Sequence, residues 1–240
     1  MSGTARRIVV LNAGSSSLKF AVYPVQPEAP PLSSGEVDGI GGAAHLKVIA
    51  GGETTHDTAV SAASPHEAME ALANLPDGPI TGDIAGFGHR IVHGGPDLDH
   101  SVVVDDATLQ QIEALSPLAP LHNPPALDVL KGLRTRFPDA PQVACFDTAF
   151  HRGHPAVADR FAIPDALYQE GVRRYGFHGL SYAYIAGAMK TQAPEIAAGK
   201  VVVAHLGSGA SMCALVDGRS VDSSMGFTAL DGLPMGTRSG

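Results

Sequence analysis

The feature that most constrains this chain is a pattern it contains twice. Residues 8–11 form a continuous apolar run rich in β-branched side chains. The polar stretch Asn12, Ala13, Gly14, Ser15, Ser16, Ser17 interrupts it, and Leu18, Phe20 and Val22 then resume in alternation. That order predicts strand, tight turn, strand. The same layout returns over residues 201–216, with Asn12 opposite His205, Gly14 opposite Gly207 and Ser15 opposite Ser208. Hairpins with glycine turns are common, so duplication and coincidence both stay open on the pattern alone.

Between and around the two copies the patterning is mixed. Pro- and Gly-rich stretches at 24–34 and 39–52 frame further short strands of a meander. Residues 62–75, with Pro65 near the start and apolar side chains at helical spacing, predict the first helix. Residues 84–92 and 102–104 read as strands, 105–115 and 124–137 as helices, and 142–146 as a strand again. A second region starts near His151, with a helix over about 180–190 and strands over 200–204, 211–216 and 219–223. Strands, then helices, then strands argue for a layered α/β architecture.

Composition removes several classes of function. The 240 residues are 44% hydrophobic, enough for one large or two modest cores. A net charge of -8, 5% aromatic residues and no Trp give nucleic acid neither a basic surface nor stacking platforms, so no nucleic-acid partner is expected. The longest apolar runs are too short to span a bilayer, and the N-terminal residues Met1 to Arg7 lead straight into a strand. Neither a signal peptide nor a membrane segment is read. Cys145 and Cys213 lie far apart without zinc-site spacing and read as buried thiols of a cytosolic protein.

Successive backbone N–H groups in a Gly/Ser turn can cradle an anion, because small side chains let a phosphate reach the main chain. Asn12, Ser15, Ser17 and Lys19 would add polar donors and one cation. One such turn is more often merely a turn. Two, from two domains, could hold a phosphate chain between them, as phosphoryl transfer requires. In G-H-R-I-V-H-G-G (88–95), Arg90 is either a surface arginine between structural histidines or a guanidinium fork for a carboxylate or phosphate. Arg238 in M-G-T-R-S-G (235–240) carries the same two readings. His122 lies in a rigid Pro-rich turn entering a helix, where a histidine is usually structural or solvated, and His178 precedes a helix as an ordinary capping-region residue would. Asp147 follows the strand 142–146, and an acid at a strand's C-terminal end points to the usual ligand crevice of an α/β sheet.

Taken together, seven ordered stretches resemble the acetate kinase family of the sugar kinase, Hsp70 and actin superfamily. They are N-A-G-S-S-S-L-K (12–19), G-H-R-I-V-H-G-G (88–95), A-P-L-H-N-P (119–124), F-D-T-A-F-H (146–151), R-R-Y-G-F-H-G (173–179), H-L-G-S-G-A-S (205–211) and M-G-T-R-S-G (235–240). The resemblance implies an actin-like, ribonuclease H-like ATPase fold, with a complete first domain over 1–149 and an incomplete nucleotide-binding domain over 150–240. It implies that Asn12 helps hold Mg²⁺, with Mn²⁺ an alternative, and that Ser15, Ser17 and Lys19 hold phosphate. His205, Leu206, Gly207, Ser208 and Gly209 would form a second ATP phosphate loop. Arg90 and Arg238 would bind the acetate carboxylate and the charge developing on the transferred phosphoryl group. His178 would steady the γ-phosphate with help from His122, and Val92, Leu121 and Phe177 would line the acyl pocket. Asp147 would be the family's catalytic acid. A free carboxylate with pKa of about 4 is already ionised at pH 7 and needs no base, so Asp147 is read instead as an orienter of Mg²⁺ water or of Arg90.

The implied reaction is reversible transfer of the ATP γ-phosphoryl group to acetate, giving acetyl phosphate and ADP, in a cytoplasmic homodimer. The chain departs from the commoner family form G-F-T-P-L-E-G by reading Gly226, Phe227, Thr228, Ala229, Leu230, Asp231, Gly232. A pocket proline is thus Ala229, which brings in propionate or butyrate as the rival substrate. Family members continue beyond T-R-S-G, so the expectation is impaired turnover by this chain, strands over 200–223 short of covering helices, and Arg238 within reach of a C-terminal carboxylate. A non-catalytic fragment is the reading from a different class.

Overall fold

The computed structural model describes residues 6–236, 238 and 239. The N-terminal residues 1–5 used to read the absence of a signal peptide, and Thr237 and Gly240 of the last motif, lie outside the described residues. So does any pairing of Arg238 with a C-terminal carboxylate. The chain divides into two compact units. The first takes residues up to Ile91, then Val102–Ser116 and Pro120–Ala144; the second takes Val92–Ser101, Pro117–Ala119 and the chain from Cys145 onward.

The first unit is organised by β1 (Arg7–Ala13) and β2 (Ser17–Pro24), an antiparallel pair. Their alternation is the reason. Val9 and Leu11 face the core from β1, Leu18, Phe20 and Val22 from β2, and the register sets Val9 beside Val22 and Leu11 beside Phe20. Each such side chain contributes roughly 1.5–3 kcal/mol on burial, and a one-residue slip would turn all of them to solvent. The meander continues through β3 (Ser33–Asp38), β4 (His45–Ala50) and β5 (Glu53–Ala59). β6 (Ile84–Ile91) joins the other side of β1 in parallel, with Val10 opposite Gly88 and Leu11 opposite His89. With β7 (Val102–Val103) and β8 (Gln142–Phe146), the strands form one sheet in the order β5-β4-β3-β2-β1-β6-β8-β7.

Three helices complete this unit: α1 (Pro65–Ala73), α2 (Asp106–Ala114) and α3 (Asn123–Arg136). α1 is shorter than its apolar spacing predicts because Ser64 caps it. The Ser64 Oγ accepts the Glu67 N–H at 3.2 Å and Pro65 fills the first turn. Ala68, Met69 and Leu72 of α1 and Val129 and Leu133 of α3 close over the sheet's apolar face.

The second unit carries the short helices α4 (Ala156–Asp159) and α5 (Asp165–Gln169), then α6 (Gly179–Gln192) and α7 (Pro194–Ala197). Its sheet is β9 (Lys200–Leu206), β10 (Ala210–Val216) and β11 (Arg219–Ser223), in the order β11-β10-β9. Tyr182 and Ala186 of α6 pack with Cys213 and Leu215, joined by Phe150, Met189, Val201 and Val203. The expectation that these strands lack a covering helix is therefore corrected for one face. On the other face Val202 and Leu206 are 67% and 74% exposed.

The two look-alike segments are both antiparallel hairpins, differing by one residue at the tip. Residues 14–17 separate the paired Ala13 and Leu18, whereas 207–209 separate the paired Leu206 and Ala210. Among the described residues no helix is long and apolar enough to cross a membrane.

Candidate active site

The predicted residues fall into two groups, one in each unit. In the first, Asn12 stands at the end of β1 and Arg90 near the end of β6. Because these strands run in parallel register, the Arg90 guanidinium reaches Asn12 and donates from Nη1 to its Oδ1 at 3.1 Å. The turn beyond Asn12 closes with the Gly14 N–H on the Ser17 carbonyl at 2.8 Å. Ser15 is exposed at its tip and Ser17 half-buried. Lys19 lies opposite Asn12 in the ladder, exposed, with its Nζ 3.8 Å from Glu36 Oε2.

The histidines flanking Arg90 take the structural reading. His89 is buried against Gln142, Nε2 to Oε1 at 2.8 Å, and burial pushes its pKa down to about 4 against the opposing effect of that hydrogen bond. His93, in the second unit, accepts the Gly95 N–H on Nδ1 at 2.9 Å, and burial with the nearby Arg152 charge holds it at about 4. His122 occupies the position before α3 without a side-chain cap bond, and Leu121 beside it is 73% exposed. Val92 and Phe177 belong to the second unit. Those two share an apolar cluster with Tyr175 and Met225, against which Phe227, Ala229 and Met235 pack.

The second group centres on His178. This residue precedes α6 in the left-handed conformation, φ 57° and ψ 21°, and makes no cap bond with its side chain. A non-glycine residue there is a local cost of roughly 1–2 kcal/mol that the surroundings must enforce. Gly176, with φ 70°, lets the chain pass His151, whose ring would lie 2.7 Å from an added Cβ. Gly179 lets the start of α6 touch the Asp147 backbone: its N–H donates to the Asp147 carbonyl at 2.9 Å, and a Cβ would sit 2.1 Å from that oxygen. Asp147 itself is 1% exposed at the end of β8.

Two consecutive side chains brace this segment from behind. His151 Nε2 donates to the Phe177 carbonyl at 2.9 Å, and its Nδ1 accepts from Ser220 Oγ at 2.7 Å. Burial, the dominant effect, pushes the ring down to about 3 and keeps it neutral, as that bonding pattern requires. Arg152 Nη2 donates to the carbonyls of Arg174 and Tyr175, each at 3.0 Å, while its Nη1 pairs with the buried Asp159 at 3.4 Å.

In front of His178 lie the other predicted residues of this unit. His205 of β9 stacks on it with ring centroids 4.1 Å apart and planes 21° apart. A Cβ placed on Gly209 would lie 3.2 Å from His178 Nε2 and 3.9 Å from an Arg238 Nη. Arg238 is tied to the same turn by backbone: Met235 and Arg238 form an isolated bridge, and the Gly236 N–H reaches the Ser208 carbonyl at 3.3 Å. Its Nε donates to Met235 Sδ at 3.1 Å.

The glycines of the two turns are informative in what they do not do. Gly14, Gly207 and Gly209 have no φ in the left-handed range, and a Cβ at Gly14 or Gly207 would meet only a carbonyl oxygen at 3.6 Å. Neither backbone conformation nor packing calls for glycine at 14 or 207. An incoming group that needs the main chain bare would.

Among the described residues, no three His, Cys, Asp or Glu side chains are arranged to hold a metal ion. Asn12 offers a single amide oxygen already engaged by Arg90. That donor set fits a divalent cation arriving with a nucleotide's phosphates, as such cations commonly do, rather than one caged by protein.

Sequence reasoning missed Ser211 and Ser181, which bond the two stacked histidines, and Tyr182, whose hydroxyl bonds Ser211. Ser211 closes the H-L-G-S-G-A-S stretch and Tyr182 lies one helical turn after His178. Those spacings are the signal that could have found them.

Residues 7–240 match the acetokinase family. The acetate kinase of Nitrobacter hamburgensis is 52% identical over 240 residues, covering 97% of this chain and 59% of the relative. That of Methylocella silvestris is 47% identical, covering 98% and 62%. Among solved structures, the chain is similar to the acetate kinase of Porphyromonas gingivalis, with TM-score 0.86, 35% identity and coverage of 98% and 61%. It is also similar to a propionate kinase from Francisella tularensis, with TM-score 0.88, 38% identity and the same coverage. The chain spans about 60% of the length of the curated relatives it matches.

Proposed function

The chain belongs to the acetokinase family, and from that premise we propose that the protein reversibly transfers the γ-phosphoryl group of ATP to acetate. One observation carries the reading: His178, Arg238 and the bare 207–209 turn converge in the second unit, on glycines at least one of which the fold itself does not require. Phosphoryl transfer needs little from a protein beyond positioning and neutralisation of charge. A backbone turn, a guanidinium and an imidazole supply both.

An acetate carboxylate oxygen attacks the γ-phosphorus, the bond from that phosphorus to the β–γ bridging oxygen breaks, and ADP leaves with the electron pair. Acetate enters ionised, so no residue need remove a proton from it. Arg90 and Arg238 would neutralise the carboxylate and the equatorial phosphoryl oxygens with planar, bidentate donors. The two Gly/Ser turns, with Ser15, Ser17, Lys19 and residues 205–209, would cradle phosphate, and His178 would hold the transferred group. His122, exposed before α3, would assist from solvent. Asp147, buried beside the start of α6, would orient donors rather than accept a proton. Mg²⁺ or Mn²⁺ held with Asn12 would screen the β- and γ-phosphates. Val92, Phe177 and Leu121 would contact the acyl group. Division into domains 1–149 and 150–240, cytoplasmic location and homodimeric assembly belong to the same proposal, carried by family membership.

Acetate-dependent ADP release from Mg·ATP, followed in a coupled assay on the purified protein, tests the reading. The expected result is turnover that His178→Ala abolishes. ADP release indifferent to acetate would refute it.

A propionate-directed variant of the reaction has one observation in its favour. Ala229, where the commoner family form has proline, packs against the cluster containing Val92 and Phe177. The smaller side chain leaves more room beside the acyl group.

A further inference from the structure

His178 has two ring nitrogens, and only one arrangement of protons satisfies everything bonded behind it. Its Nδ1 lies 2.8 Å from Ser211 Oγ, and the same oxygen lies 2.5 Å from the Tyr182 hydroxyl. Ser211 and Tyr182 are both fully buried, so water does not complete their bonding. The hydrogen bond that the buried phenol makes is to Ser211 Oγ, so its proton points there. Ser211 has one proton, and with Tyr182 donating to it, that proton goes to His178 Nδ1. In the reverse order Ser211 would donate to Tyr182, and the phenol proton would be left without an acceptor in an apolar core.

We propose that Ser211 and Tyr182 are positioning residues that lock His178 in the neutral tautomer whose Nε2 carries the proton, presented to the 207–209 turn. The geometry in front agrees. Nε2 is the ring nitrogen that lies against Gly209, 3.2 Å from where a Cβ would sit. His205 stacks 4.1 Å away and is itself bonded through Nδ1 to Ser181 Oγ at 3.0 Å, which holds the two rings face to face. The left-handed backbone of His178 gives up the side-chain capping role, freeing the ring to reach Ser211. A fixed Nε2–H is a hydrogen-bond donor aimed before any anion arrives, which is the form of electrostatic assistance that needs no reorganisation during reaction.

The inference rests on the kinase reading for its purpose but not for its test. Nitrogen-15 spectra of histidine-labelled protein, with the His178 resonances identified by their loss in His178→Gln, report the tautomer directly. The expected result is an unprotonated Nδ1 and a protonated Nε2 at pH 7. Ser211→Ala should give a mixture of tautomers, and Ser211→Thr, which restores the hydroxyl, should return the single form. In acetate-dependent turnover, Ser211→Ala should lower kcat at least tenfold with KM for ATP changed less than twofold, and Ser211→Thr should recover most of the loss. A protonated Nδ1 in the unmodified protein, or a Ser211→Ala spectrum unchanged from it, overturns the proposal. Absence of turnover in the unmodified protein would refute the kinase reading and leave the spectra to decide the tautomer.

Discussion

Two glycine-to-alanine substitutions in the second unit should act in opposite directions. At Gly176 the backbone has φ 70°, and the added methyl would lie 2.7 Å from Cγ and Cδ2 of His151. The left-handed conformation costs alanine about 1–2 kcal/mol, and forcing a methyl into a packed site typically costs about 1–3 kcal/mol more. His151 cannot swing away without breaking its bonds to Phe177 and Ser220. The expected loss is therefore roughly 2–5 kcal/mol. Gly187 is the contrast: it lies exposed in the middle of α6, with nothing within 4 Å of an added Cβ. Alanine there should stabilise by about 0.5–1 kcal/mol, because glycine loses more conformational freedom in a helix. Cys213 reports on this unit alone, being fully buried with its thiol pushed by burial up to about 11. In a Cys145→Ser background, thiol labelling in the regime of fast reclosing measures how often the unit opens. Gly176→Ala should speed labelling about 30- to 5,000-fold, at a factor of ten per 1.4 kcal/mol, and Gly187→Ala should slow it about two- to fivefold. A Gly176→Ala rate within threefold of the parent would show that His151 does not brace this turn.

Stability should fall as the pH drops from 7 to 5. His89 and His93 near 4 and His151 near 3 bind protons in the unfolded chain below about 6.5 but not in the folded one, so each contributes stability above 6.5 that is lost on acidification, roughly 2 kcal/mol per histidine by pH 5. Urea midpoints that stay flat between pH 7 and 5 would contradict this. Replacing Arg90 or Arg238 with Ala should cost on the order of 3 kcal/mol or more in kcat/KM for acetate, and near-unchanged turnover of either variant would remove it from the reaction. Ala229→Pro should sharpen the preference for acetate over propionate about tenfold, the worth of a methylene in an apolar pocket. An unchanged ratio would mean that the pocket is shaped elsewhere.

What the sequence made legible follows from which interactions have a period. β1, β2 and β8 could be read because alternate residues are buried on a sheet. β5 could not, because all of Glu53–Ala59 lies largely outside the core and has no apolar alternation to show. The helices α4, α5 and α7, of four, five and four residues, are too short for a 3.6-residue period to emerge. The site divides the same way. Asn12, Arg90, His178, His205 and Arg238 stand in recognisable local strings. That Arg90 bonds Asn12, however, depends on β1 and β6 lying in parallel register 78 residues apart. Ser211 and Tyr182 were harder to single out for a further reason. A buried serine and tyrosine are ordinary core residues until the strand register places Ser211 opposite His205 and the helix brings Tyr182 to the same oxygen. The left-handed turn at His178 is likewise imposed from outside, by carbonyls that His151 and Arg152 hold. Local strings can mark the groups that would touch substrate, but the protons those groups carry are set by partners that only the folded chain assembles.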